Sequence, residues 1–450
     1  MTAPFRIQAL LAALILTATP QVPAATPPNI LVILTDDQGR GDYSAFGTPD
    51  IQTPGIDRIF REGMDLTNFR ANCPVCSPTR AALLTGRYPD RVGVPGVIRT
   101  HPEDSWGYLA PQAILLPALL KKNGYHTALV GKWHLGLTPE NTPNTRGFDH
   151  FHGFLGDMMD DYWNHRRHGI NYMRLNQQVI DPQGHATDLF TQWAVTYLRE
   201  RQSHSQPWFL YLAYNAPHSP IQPKDDWLAK VTQRQPEMQP ARAKLVALIE
   251  HMDAGIAKVL QTLDETDMAR NTLVFFTSDN GGVNGLGANN GPWKSGKQHV
   301  YEGGLRVPAA VRWPDHIQPG SNSDLQLLTM DIFATACQAA QTQTPNPIEG
   351  ISFLPALLGQ PQRLPDRPLY FVRREGNANY GGKTIEALIN GPWKILQDSP
   401  WQPLELYNLE SDPEETNNLR DTNPDVFSQM SASLRRMVQY GGQTPWQPAH

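Results

Sequence analysis

Four stretches of this chain follow apolar runs with side chains that can do chemistry. Asp36-Asp37-Gln38 follows residues 29–34, and Gly131-Lys132-Trp133-His134 follows residues 127–130. Pro217-His218-Ser219 follows residues 208–214, and Ser278-Asp279-Asn280-Gly281-Gly282 follows residues 272–276. Asp36, Asp37, Asp279 and Asn280 offer hard oxygen donors, a set that suits calcium or magnesium and lacks the softer ligands zinc prefers. Adjacent carboxylates repel one another when buried, and a bound cation removes that cost. Taken singly, Asp36-Asp37 also reads as a helix cap and Asp279-Asn280 as a turn before glycine. Together they favour a metal site.

A fifth stretch is Cys76-Ser77-Pro78-Thr79-Arg80, followed by Thr85-Gly86-Arg87. Ser77 is expected as the N-cap of a helix, Pro78 at its first position and Gly86 at its stop. Cys76 would then stand at a helix N-terminus, where free N–H groups and the dipole favour an anion, with Arg80 one turn in. Cys73 and Cys76 also form a C-x-x-C, which admits a redox pair. A redox domain of that kind would not need four acidic and basic strand ends. A buried, inert thiol is the plainest alternative.

These groups need a frame. The runs at 29–34, 127–130, 208–214 and 272–276 are continuously apolar, as strands buried on both faces are. Helical segments at 115–123 and 242–263 alternate with them, the first stopped by Gly124. The pattern predicts an α/β fold, a mostly parallel sheet sandwiched by helices. Ligands in such sheets bind at the carboxyl ends of the strands, where the chemistry-bearing residues lie. After about residue 340 the chain turns Pro-rich and polar. Short strands at 369–372, 385–389, 393–396 and 404–407 and a helix at 424–438 predict a smaller α+β domain with an antiparallel sheet. The expected division is 26–340 and 341–450.

With 450 residues, 40% of them hydrophobic, the chain has ample material for a core. A net charge of -5 without a dense basic run gives no case for nucleic acid. Residues 1–25 read as a signal peptide: Arg6, an apolar run at 7–18, then Val22-Pro23-Ala24-Ala25. Secretion or a periplasmic location, through the export machinery, is the expectation, with a retained anchor as the alternative. Three cysteines, Cys73, Cys76 and Cys337, do not make a disulfide scaffold, and the sequence leaves open whether Cys73 pairs with Cys337.

Cys76-Ser77-Pro78-Thr79-Arg80 with Thr85-Gly86-Arg87 resembles the sulfatase signature C-x-P-x-R…T-G-R. The resemblance extends through the four strand ends, Arg146-Gly147-Phe148-Asp149, Lys297, Tyr301-Glu302-Gly303-Gly304 and Leu406-Tyr407-Asn408-Leu409. It implies an alkaline-phosphatase-like fold and a cysteine oxidised to formylglycine by a separate maturation enzyme. By the same resemblance, Asp36, Asp37, Asp279 and Asn280, with modified Cys76, hold one metal ion, calcium before magnesium. Arg80 and Lys132 would steady the aldehyde hydrate, and His134 would bond to it. His218 and Lys297 would bind sulfate and the leaving oxygen. Of the two hydroxyls on the hydrate, one would attack sulfur with Asp279 as base. The second, losing its proton to His134, would expel sulfate.

The expected function is hydrolysis of sulfate esters, with a sulfated polysaccharide or oligosaccharide as preferred substrate. A phosphatase or phosphodiesterase of the same superfamily is the second reading, disfavoured because only one set of metal ligands is visible. A glycan-binding relative with a dead site is the third, disfavoured by the intact reactive set. Residues 153–171 are expected to shape the substrate pocket. Within them Asp160, Asp161, Arg166 and Arg167 read equally well as a solvated loop. Trp106, Trp163, His165, His168, Arg373 and Arg374 are weaker candidates for gripping a sugar.

Overall fold

The computed structural model describes residues 27–376 and 383–447. The expected signal segment at 1–25 lies outside them. Its centre is a ten-stranded sheet. In chain order the strands are β1 (Asn29–Thr35), β2 (Met64–Leu66), β3 (His126–Lys132), β4 (His150–Phe154), β5 (Met173–Leu175), β6 (Gln178–Val179), β7 (Trp208–Ala213), β8 (Thr272–Ser278), β9 (Ala309–Arg312) and β10 (Ser321–Ser323). Across the sheet they run β10-β2-β9-β8-β1-β7-β3-β4-β5-β6. The five strands from β8 to β4 are parallel, whereas β9, β5 and β6 are antiparallel to their inner neighbours. The predicted parallel core is therefore present. The short edge strands were not legible, because two or three residues carry too little periodicity to identify.

Both faces of the sheet are covered. The helices are α1 (Pro54–Glu62), α2 (Cys76–Thr85), α3 (Leu116–Lys122), α4 (Ala186–Arg201), α5 (Asp225–Arg234), α6 (Pro240–Glu265), α7 (Asp331–Ala339) and α8 (Pro424–Gly441). Ile30, Val32 and Leu34 of β1 pack into one core with Leu83 and Leu84 of α2, Leu120 of α3 and Phe333 of α7. Leu31 and Ile33, on the opposite face, join Ile59 of α1, Phe190 of α4 and Ile249 of α6. Side chains alternate across a strand, so a continuous apolar run supplies two cores at once.

The C-terminal part forms an antiparallel sheet of β11 (Leu369–Arg374), β12 (Thr384–Asn390), β13 (Trp393–Gln397) and β14 (Glu405–Asn408), in that order. Met430 and Leu434 of α8 close its core. Each strand lies where the sequence placed it, to within two residues at either end. A buried ionic group ties Lys394 of this sheet to Arg70 and to the segment 302–306. Glu302 accepts from Arg70 at 2.7 Å, Arg306 at 2.7 Å and Lys394 at 2.9 Å, and Lys394 also reaches Glu415 at 2.8 Å.

His185, ahead of α4, ties the fold to pH. Its Nε2–H donates to Gln222 O at 2.9 Å, and its Nδ1 accepts from Thr187 N at 3.2 Å, capping the helix. Burial lowers its pKa to about 4, against the partial opposition of the Gln222 carbonyl and with a further lowering from His251; Asp188 and Lys224 also face it. The folded value lies below the ordinary one, so this contribution is complete above pH 6.5 and is lost as pH falls towards 4. It amounts to about 3 kcal/mol across that window. Thermal melting between pH 7 and 4.5 should show a falling midpoint. His185→Asn, which can cap but not protonate, should flatten the fall; an unchanged slope would refute it.

Candidate active site

The parallel register gathers the site. Thr35 of β1 pairs with Ser278 of β8, Leu34 with Ala213 of β7, and Ala213 with Gly131 of β3. Four strands thus end level, and the residues that follow meet at one edge. Gly131 permits this: its φ is 107°, and a Cβ there would lie 1.9 Å from Ala213 O. Asp37 and His134 also hold positive φ, 67° and 61°, which costs backbone energy and clusters at functional sites.

The edge is a dense buried charge network. Lys132 Nζ lies 2.5 Å from Asp36 Oδ2, and Lys297 Nζ lies 2.7 Å from Asp37 Oδ2. Arg80 donates from Nε and Nη2 to Asp279 Oδ2 at 3.0 and 2.8 Å, and its Nη1 donates to Lys132 O at 3.2 Å. Burial penalises Asp36, yet Lys132, His218, Arg80 and Lys297 hold its carboxyl well below the usual range. Asp279 moves the other way: burial and the Asp36 charge push it up more than Arg80 can restrain. Lys297 stays charged despite burial because Asp37 faces it.

The structure brings every expected site residue together, with one local correction. Cys76, not a residue after Ser77, opens α2, and the cap position is Val75 with no side-chain bond. The Ser77 hydroxyl accepts instead from Ile98 N at 3.1 Å. A tertiary partner has taken the side chain that a local reading assigned to the helix end. Gly86 does stop the helix, at φ 67°. Cys76 Sγ lies 3.4 Å from Asp36 Oδ1. Burial, then Asp279 and Asp36, push the thiol far above its ordinary value, so it is no thiolate. All three cysteines are unpaired; Cys73 donates to Val372 O at 3.1 Å.

The donor set fits a hard cation. Ligand atoms of Asp36, Asp37, Cys76 and His218 all lie within 4.8 Å of one another. Asn280 donates to Asp37 Oδ1 at 2.8 Å, while its own Oδ1 is buried without a hydrogen-bond partner among the described residues. An orphaned amide oxygen beside three carboxylates is what a cation would satisfy. Asp279 stands outside the tightest group because its Oδ2 is turned to Arg80, while its Oδ1 accepts from Asp37 N at 3.2 Å. Sulfur is a poor ligand for a hard cation; an oxygen at the same place would be a good one.

The two histidines have fixed tautomers. His134 Nε2 faces Ile98 O at 2.9 Å, and a carbonyl only accepts, so Nε2 carries the proton. Its Nδ1 is then a lone pair, buried and without a partner among the described residues. Burial, Lys132 and Arg80 keep the ring neutral. His218 Nδ1 donates to Ser219 O at 2.7 Å, which turns Nε2 to Asp37 at 3.6 Å. Burial and Lys297 lower its pKa.

Asp37, Cys76, His134, His218 and Lys297 line a pocket of about 300 Å³, small for a ligand site. Arg99, Asp157, Met158, Arg167, Gln298 and Arg373 add to its walls. Of the loop at 153–171, Arg167 reaches the pocket, pairing with Asp157 at 3.0 Å, whereas Arg166 pairs with Asp181 on the exposed side. His165 is buried on Gly184 O, and Trp106 stacks on Trp446. Trp163 is 46% exposed, and Arg374 turns to Tyr370. Arg99 and Gln298 were missed, for no spacing marks them; the 76° φ of Gln298 is visible only in the fold.

The Sulfatase family model matches residues 28–342, and the N-sulphoglucosamine sulphohydrolase C-terminal model matches residues 293–440. Human N-acetylgalactosamine-6-sulfatase is 36% identical over 373 residues, covering 78% of this chain and 69% of the relative. Human steryl-sulfatase is 29% identical over 423 residues, covering 76% and 71%. The solved structure of Ps i-CgsB in complex with k-i-k-neocarrahexaose superposes with a TM-score of 0.85 at 30% identity, covering 94% of this chain and 95% of that one. The central sheet, the C-terminal antiparallel sheet and these likenesses agree: the chain belongs to the sulfatase family and is a sulfuric ester hydrolase.

Proposed function

We propose that this protein removes sulfate from a sulfated polysaccharide or oligosaccharide, using formylglycine at position 76 and one calcium ion. The observation that carries the reaction is the placement of Cys76 at the start of α2, against Asp36, below a pocket lined by His134, His218 and Lys297. The carbohydrate reading is supported by relatives named for N-acetylgalactosamine-6-sulfate and by a neighbour solved with a neocarrahexaose.

In this reading Asp36, Asp37, Asp279 and Asn280 hold the ion together with the modified residue 76. When bound, the ion neutralises the carboxylates and draws off sulfate charge; the aldehyde hydrate supplies an attacking oxygen and a second hydroxyl. The chain's own groups do the rest. Arg80 and Lys132, buried and anchored on Asp279 and Asp36, fix the positive field around residue 76. Asp279, whose Oδ2 is held by Arg80 at the same strand edge, would act as the base. Lys297 and His218 receive the sulfate, and Lys297, held charged beside Asp37, is the group that carries a proton for the departing alcohol. His134 Nδ1, the unpartnered lone pair, takes the proton that lets sulfate leave.

Residues 1–25 are the proposed export signal, supported by their charged, apolar and small-residue order. A separate enzyme would carry out the maturation of Cys76.

The metal has a test that does not depend on turnover. Chelation should lower the thermal midpoint, and calcium at about 100 times its dissociation constant should restore about 2.7 kcal/mol. Asn280→Ala should weaken calcium binding in calorimetry by roughly tenfold, about 1.4 kcal/mol. A midpoint indifferent to chelator and calcium would overturn the metal assignment. Sulfate release from a sulfated oligosaccharide, read by ion chromatography, tests the reaction itself.

A further inference from the structure

The ring of His134 has one hydrogen-bond partner among the described residues. That partner is Ile98 O, 2.9 Å from Nε2, and the other ring nitrogen has none. The backbone beneath the ring is itself strained, at φ 61°. Orientation and tautomer therefore depend on where Ile98 O is held. If that carbonyl moves away, the proton is free to sit on Nδ1, and an N–H replaces the lone pair.

Ile98 is held from its other side by the helix that carries the nucleophile. Its N–H donates to Ser77 Oγ at 3.1 Å, and Ser77, fully buried, directly follows Cys76 in α2. The two backbone groups of one residue thus link α2 to the ring of His134. Ser77 is not among the residues that line the pocket, so its hydroxyl acts on the backbone and not on substrate. The flanking chain has separate ties. Pro95 O accepts from Arg374 N at 2.9 Å, and Val97 O accepts from Trp106 N at 2.9 Å. Trp106 in turn stacks on Trp446, with ring centroids 4.8 Å apart. These ties keep the segment on the fold, but Ile98 makes none of them. Without the Ser77 hydroxyl, the Ile98 N–H is buried without a partner, and the chain there must shift to satisfy it.

We propose that Ser77 is a positioning residue for His134, acting through the backbone of Ile98. It keeps the proton of the ring on Nε2 and so leaves Nδ1 free to accept one. The inference rests on the role given to His134 above and deepens it. His134 acts when sulfate departs, which follows release of the alcohol. Loss of the Ser77 hydroxyl therefore slows the second half of the cycle and spares the first.

Two measurements test this on the full chain. The first is independent of turnover: nitrogen NMR of histidine-labelled, unmatured protein, with the His134 signals identified by their loss in His134→Ala. The wild type should show the Nε2–H tautomer, Ser77→Ala a mixture of both, and Ser77→Thr, which keeps the hydroxyl, the wild-type pattern. The second uses matured protein, checked by the mass of peptide 71–80, with p-nitrophenyl sulfate as probe. Ser77→Ala should release p-nitrophenol in its first turnover as fast as the wild type, while kcat falls by roughly tenfold to a hundredfold. A merely structural role would slow both phases together. An Nδ1–H ring in the wild type overturns the proposal even if Ser77→Ala does not fold. So does a Ser77→Ala protein with the wild-type tautomer, or one slowed equally in both phases. His134→Ala separates this from the underlying reading: it should keep the first turnover and lose the later ones. If it loses both, the role of His134 falls, and the role of Ser77 with it.

Discussion

Cys76→Ala is expected to yield a folded protein that releases sulfate at least 10,000-fold more slowly, an effect of about 5 kcal/mol or more on the barrier. The substitution deletes a single sulfur atom at a site 3% exposed, at the first residue of α2, where no helix cap depends on it. The helix is held by Leu83, Leu84 and the Arg80 ion pairs, which remain. Folding should therefore survive, and circular dichroism and melting check this. Activity should not survive, because alanine leaves no atom beside Asp36 that can attack sulfur. Cys76→Ser separates the steps. It keeps one hydroxyl but not a second on the same carbon, so it should stop after one turnover. The mass of the tryptic peptide 71–80 from active protein should show formylglycine in place of the thiol. Active protein with an intact thiol, or turnover by Cys76→Ala, would remove the mechanism.

The site was legible in the sequence because its parts follow strands that are apolar throughout. β1, β3, β7 and β8 are buried on both faces, so each reads as an unbroken run, and polar side chains appear where the run stops. The level ends of the strands then bring Asp36, Lys132, His218 and Asp279 together without further information. Features set by long-range partners were not legible. Ser77 has a capping residue's chemistry, but Ile98 N, 21 residues on, claims its hydroxyl. Glu375 lies 276 residues from Arg99, and no local pattern announces their pairing. Arg166 and Arg167 are neighbours of one type on a short hairpin. Only the fold decides that one faces Asp181 and the other Asp157. The free lone pair of His134 likewise depends on Ile98 O, which no spacing could foretell.

The second large effect falls on stability. Glu302→Gln should lower the thermal midpoint by about 5 °C, the counterpart of roughly 4 kcal/mol in a chain of this size. Glu302 is fully buried and accepts from Arg70, Arg306 and Lys394, which come from three separate segments. Those cations hold its carboxyl far below the usual range although burial opposes them. With the charge gone, Lys394 keeps Glu415, but Arg70 and Arg306 lose the carboxylate they share, and Arg70 and Lys394 are themselves almost without solvent. Breaking one member of a buried group costs more than the whole group contributes, because the partners stay desolvated. Lys394→Met should do less harm, since Arg70 and Arg306 still answer Glu302 while Glu415 loses its cation. Glu302 also begins the short helical turn Glu302–Leu305, five residues after Lys297. Glu302→Gln should therefore raise KM for sulfate esters as well, by loosening that lysine. An unchanged midpoint would show that the ionic group around Glu302 contributes nothing that neutral hydrogen bonds cannot.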